Sequence, residues 1–141
     1  MSGLIHIVYL SYSKKELSES ELNGFLASIR RRNEIQNITG LLLYKDGAFI
    51  QIIEGERDII LNLFDSISSD SRHSNIVKLI EEPISKRAFP AWAMGFRKLD
   101  KQQNVLIPGF SDFMQNEHSK IDYKNCAEAV KHLLYSFRKH T

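Results

Sequence analysis

Cys126 is the one cysteine in 141 residues. A single thiol cannot close an internal disulfide, so the core must hold the fold, and a reducing cytoplasmic compartment is expected. No run of about 18 apolar residues occurs and no charged-then-apolar leader is visible, which argues against a membrane partner. Net charge is equally sparse. Nineteen Lys and Arg face 17 Asp and Glu, a balance of +2, too small to signal nucleic acid. The one basic cluster, Arg30 to Arg32, falls where a helix is expected to close, and reads as solvated charge complementing the helix dipole. Gly-rich phosphate loops, Ser or Cys nucleophile motifs, repeats and low-complexity linkers are all missing. His6, His118, His132 and His140 lack ligand spacing, and Glu81 and Glu82 fall on opposite faces of a strand. Zinc and paired-carboxylate chemistry therefore have no support.

What is present is a hydrophobic fraction of 43%, enough for one domain with a proper core. "LIHIVYLSY" reads as a strand with Ile5, Ile7 and Tyr9 on one face. In "SESELNGFLASIRRRN", Ser18 and Glu21 form a capping box, and Leu22, Phe25, Leu26 and Ile29 recur at helical spacing. "ITGLLLY" and "AFIQIIEG" are strands joined at Asp46 and Gly47, residues suited to a tight hairpin. A second helix runs from about Arg57 to Ser69 with Ile60, Leu63, Phe64 and Ile67 inward, followed by the polar turn "SSDSRHSN". "IVKLIEE" is a fourth strand, and "AWAMGFRKL" a fifth with Trp92, Met94 and Phe96 on one face.

The order βαββαββ implies an α+β, ferredoxin-like sheet with two helices on one face. The expected organisation is a domain over 1–100 and a helical tail over 101–141, including a helix from about Tyr123 to Phe137, which would cover the other face. Cys126 falls in that tail and reads as a small core residue.

One residue contradicts the pattern. Alternation through "GAFIQIIEG" puts Phe49, Gln51 and Ile53 on one face, so a primary amide with two donors and an acceptor sits where Leu would be expected. Continuing the first helix's apolar stripe by one turn lands on Asn33, a second inward amide. With Tyr9, these residues converge between the sheet and the helices. Taken singly each has an ordinary explanation: a core tyrosine, an exposed glutamine, a helix-capping asparagine. Together they outline a slot for a flat heterocycle, a flavin or a purine, walled by Phe25, Ile29, Phe49 and Ile67.

Tyr9 in "IVYLS", Asn33 before "ITGLLLY", Gln51 in "GAFIQIIEGE", the turn "DSRHSN", and Trp92 and Met94 in "RAFPAWAMGF" together resemble the BLUF family of blue-light sensors over about residues 3–98. The resemblance implies a non-covalent flavin, FAD with FMN or riboflavin as variants, lying between the helices. It implies Tyr9 as photochemical electron and proton donor, Gln51 as the amide bridging phenol and flavin, and Trp92 and Met94 as responders. Asn33 corresponds to the amide at the flavin's pyrimidine edge, with Arg32 beside it, while Asp70, Arg72 and His73 occupy the turn near the ribityl chain or phosphates. Ser66 and Ala93 depart from the family pattern. Ser66 leaves the choice between FAD and FMN open, and Ala93 leaves open which of Trp92 and Met94 packs toward Gln51.

The expected function is thus a photoreceptor and not an enzyme, acting through an effector protein or self-association as a homo-oligomer. The competing readings on the same fold are a small acylphosphatase-like hydrolase and a ligand-free protein-interaction module.

Overall fold

The strands read as near-continuous apolar runs because both faces of the sheet are buried, and successive side chains go to opposite faces. The computed structural model describes residues 3–13, 17–45, 48–69 and 73–98. In chain order they form β1 (Leu4–Ser13), α1 (Glu19–Gln36), β2 (Thr39–Lys45), β3 (Ala48–Glu56), α2 (Arg57–Ser68), β4 (His73–Pro83) and β5 (Gly95–Lys98). The strand order is β4-β1-β3-β2-β5, with the first four antiparallel to their neighbours and β5 parallel to β2. This is the ferredoxin-like α+β arrangement with an added edge strand.

The two faces sort as the alternation dictates. Ile5, Ile7, Tyr9, Leu42, Tyr44, Phe49 and Ile53 pack with Leu22, Leu26 and Ile29 of α1 and Ile60, Leu63 and Ile67 of α2. On the reverse face Val8, Leu10, Leu41, Leu43, Ala48, Ile50 and Ile52 form a second cluster with Ala88 and Phe89. The proposed tail, with its Tyr123–Phe137 helix and Cys126, lies outside the described residues, as do Asp46 and Gly47.

The Ser18 capping box forms as expected: Ser18 Oγ accepts from the Glu21 amide at 3.1 Å and Glu21 returns a bond to the Ser18 amide at 3.0 Å. Such a cap contributes about 1 kcal/mol. Three boundaries differ from the sequence expectation. First, α1 does not close at Arg30–Arg32 but continues to Gln36, and Asn37 ends it in the left-handed conformation (φ 57°) with its amide bonded to the Asn33 carbonyl. The arginines are therefore not in the last turn. Second, β4 starts at His73, inside the expected turn, because Tyr12 and Ser13 of β1 pair with Ser74 and His73. Third, β5 is four residues long, so Trp92 and Met94 belong to the preceding loop.

Candidate functional site

Tyr9 and Gln51 are directly opposite each other on β1 and β3. Both are buried, at 1% and 5% exposure, and the Tyr9 hydroxyl donates a hydrogen bond to Gln51 Oε1. The other end of the amide, Nε2, points at the Met94 thioether, 3.6 Å from Sδ. Gln51 thus links a strong donor on one side to a weak acceptor on the other. The Tyr9 ring meets Phe64 of α2 edge-on at 5.4 Å. Burial pushes the phenol far above the ordinary tyrosine range, and the Arg32 guanidinium pulls it part of the way back. Tyr9 is consequently a neutral proton donor at physiological pH.

Asn33 comes to the same place from α1. It is fully buried; Nδ2 donates to the Ala93 carbonyl at 2.6 Å, and Oδ1 receives Nε and Nη2 of Arg32 at 3.4 Å each. Because Ala93 and Met94 are consecutive, the two amides anticipated from the sequence are held by one short piece of loop. Arg30 fastens that piece further through Nε to the Met94 carbonyl at 2.9 Å. A cavity of about 330 Å³ lined by Arg30, Glu34, Trp92, Ala93 and Met94 opens beside it.

Phe25, Ile29, Phe49 and Ile67 all belong to the helix-side cluster, with Phe25 and Phe49 at 5.7 Å and Tyr44 and Phe49 at 4.8 Å between ring centres. Trp92 does not share a face with Met94, contrary to the strand reading. Met94 is buried on the helix side, whereas Trp92 packs on the reverse face and stacks with Phe89 at 5.6 Å. The physical reason is the loop: residues 92–94 pass around the edge of β2, where the Gly40 amide donates to the Trp92 carbonyl at 3.1 Å. Gly95 is required there, since a Cβ would strike the Trp92 indole. Met94 is therefore the member of the pair that reaches Gln51. Asp70 and Arg72 lie outside the described residues, and His73 opens β4.

Sequence reasoning passed over a second buried polar group on the reverse face. Glu54 is wholly inaccessible, and it lies opposite Thr39 on β2 and His6 on β1. His6 is itself buried, with Nε2 2.7 Å from Glu82 and Nδ1 without a partner among the described residues. The signal that exposes Gln51, a polar residue at an apolar beat of the alternation, would also have found Glu54.

The two amide edges, the phenol and the aromatic and aliphatic walls fit a flavin. Gln51 Nε2 has a thioether at long range as its acceptor and Asn33 Oδ1 has long contacts, so both retain hydrogen-bonding capacity for a heterocycle's edge. Among the described residues no helix is long and apolar enough to cross a membrane.

Comparison with known proteins agrees with this geometry. The sequence pattern of BLUF, described as sensors of blue-light using FAD, matches residues 4–95. The chain is 37% identical over 94 residues to the photoactivated adenylate cyclase subunit beta of Euglena longa, covering 66% of this chain and 11% of that protein. It thus spans about a tenth of the length of such curated relatives. Among solved structures, BlrB, a BLUF protein in its dark state, superposes with a TM-score of 0.75 at 30% identity over 100% of this chain and 99% of that one. A bacterial light-regulated adenylyl cyclase superposes with a TM-score of 0.67 at 34% identity, covering 82% of this chain and 34% of that one.

Proposed function

The chain belongs to the BLUF family, sensors of blue light using FAD, and from that premise we propose how its own residues register light and pass the signal on. A bound flavin supplies the absorption of blue light and, once excited, the oxidising power to draw an electron from a nearby phenol. Tyr9 is that phenol. Asn33 holds the flavin's pyrimidine edge with Arg32 beside it; Phe25, Ile29, Phe49 and Ile67 flank the ring, and Asp70, Arg72 and His73 serve the ribityl chain or phosphates.

The observation that carries the reading is the chain of contacts from Tyr9 through Gln51 to Met94. A phenol that gives up an electron becomes strongly acidic, and the proton leaves along the bond already made to Gln51 Oε1. An amide protonated at oxygen can release a proton from Nε2 or turn about its last side-chain torsion, and either exchanges its donor and acceptor ends. Electron and proton then return to the Tyr9 phenoxyl, so every redox state is restored and only the exchanged amide persists; that exchange reverses in the dark, and no net chemical product is made. Met94, at the far end of the amide, experiences the exchange. This explains why a glutamine occupies a core position: its reversal is the signal. Tyr9→Phe should keep the flavin and lose the light-induced red shift; a normal shift in that variant would overturn the assignment.

The sensor is read as having no catalytic activity of its own. Domain 1–100 senses, and the tail over 101–141 relays the change to an effector protein or to a homo-oligomer in the cytoplasm. The tail's apolar stripe of Ala127, Val130, Leu134 and Phe137 supports a role as cover for the reverse sheet face. Hydrogen exchange compared in dark and light should differ most over residues 91–137. Identical exchange there beside a normal spectral shift would move the output to the helices.

A further inference from the structure

The Met94 side chain is held against Gln51 from one side of the sheet, yet the loop that carries it is anchored on the other. Glu54 lies three residues beyond Gln51 on β3, on the opposite face and wholly buried. Its Oε1 accepts from Thr39 Oγ1 at 2.8 Å and from the Phe89 amide at 2.7 Å, and its Oε2 accepts from the Ala88 amide at 2.9 Å. A carboxylate that takes two successive backbone amides fixes the conformation of the loop at that point. Arg87, the residue before, closes the arrangement: Nη1 donates to Thr39 Oγ1 at 2.9 Å and to the Glu54 carbonyl at 3.1 Å, and Nη2 to the Asn37 carbonyl at 2.8 Å.

From that anchor the chain has one route. The Trp92 amide bonds back to the Phe89 carbonyl at 3.1 Å and the two rings stack; the next two residues then cross the edge of β2 to Asn33 and Gln51. Burying a carboxylate is costly unless its oxygens are satisfied, and an aliphatic residue would pack readily beside Ile50 and Ile52. A carboxylate at this point has a specific use, namely to receive the loop's amides.

We propose that Glu54 is a positioning residue for Met94: by clamping the Ala88 and Phe89 amides, it sets the register of residues 87–94 and so the placement of the Met94 sulfur at Gln51 Nε2. This rests on the reading of Gln51 and Met94 as parts of the light switch. With the clamp released, Met94 no longer holds one orientation of the amide, and the reversal of Gln51 in the dark meets a lower barrier.

The test is Glu54→Gln in the full-length flavin-bound protein. Glutamine keeps the volume but offers one acceptor, so one of the two amides faces an NH2 group. Dark recovery after a light pulse should speed up about tenfold, as expected for loss of one charge-assisted bond. Independently, methyl-labelled methionine should give three resonances, one each from Met1, Met94 and Met114; Met94→Leu identifies one, and that one should move in Glu54→Gln. Thr39→Val, which removes the hydroxyl between Glu54 and Arg87 at nearly constant shape, should act in the same direction and covers the case in which Glu54→Gln does not fold. Val77→Ala, a truncation on β4 at the sheet edge remote from β2 and β5, should lower stability while leaving recovery and the Met94 methyl unchanged. If Glu54→Gln or Thr39→Val behaves like Val77→Ala, the proposal is overturned. If the wild-type protein holds flavin but shows no reversible shift, the switch reading fails, and the methyl spectrum still decides whether Glu54 places Met94.

Discussion

Removing both ends of the Tyr9–Gln51 bond together should cost less than the two single removals added up. Tyr9→Phe leaves Gln51 Oε1, on a residue 5% exposed, without the hydroxyl that donates to it. Gln51→Leu leaves that hydroxyl, on a residue 1% exposed, without its acceptor. Each orphaned group costs about 1–3 kcal/mol. For Gln51→Leu part is recovered, since a buried amide is exchanged for an aliphatic group. In the double variant neither polar group remains, and two apolar side chains meet across the non-polar face of β1 and β3. The sum of the single losses should therefore exceed the double loss by about 1–2 kcal/mol, within the range for residues in direct contact. Urea unfolding of the four proteins at one flavin concentration, with each dissociation constant measured and its linkage subtracted, gives the cycle directly. Single losses that add to within about 0.5 kcal/mol would refute a shared hydrogen bond, and with it the route proposed for the proton.

Asn33→Ala should weaken flavin retention on dialysis, because it removes one edge contact and frees the Ala93 carbonyl, at a cost of about 1–3 kcal/mol; unchanged occupancy would argue against that contact. Met94→Leu should alter the light-minus-dark spectrum, whereas Trp92→Phe should preserve it and lose about 1 kcal/mol of stability through the poorer stack on Phe89; the reverse pattern would contradict the placement of the two side chains. Burial holds the Tyr9 proton in the folded state at pH values where the unfolded chain releases it. The resulting stabilisation is full below about pH 10 and is lost as pH rises further, so wild type should lose stability more steeply than Tyr9→Phe above that value. Parallel alkaline profiles would refute it.

Gln51 and Asn33 were legible because each breaks a regular beat, of period two in a strand and 3.6 in a helix, and a polar group on an apolar beat demands a partner. The true end of α1 was not legible, because the inward stripe stops at Asn33 while the backbone continues. Glu34, Ile35 and Gln36 are exposed and carry no packing signal, and the stop is made by the left-handed conformation of Asn37. The start of β4 was hidden for a similar reason: His73, Ser74 and Asn75 read as a turn by composition, and pairing with β1 overrides it. Alternation in "AWAMGF" imitates a strand, yet its conformation is imposed by Asn33, Arg30 and Gly40, all more than fifty residues away in sequence. Local pattern cannot carry that information. Tyr9 was assigned to the right face by alternation, but its bond to Gln51 depends on the register between β1 and β3, which only the fold supplies.

The most direct test of the central claim is an illuminated-minus-dark absorption spectrum of the freshly purified protein. The Tyr9–Gln51–Met94 arrangement requires a yellow protein whose blue absorption band moves to longer wavelength in light and returns fully in darkness. A colourless protein, or a yellow one whose band bleaches or stays fixed under blue light, would contradict it.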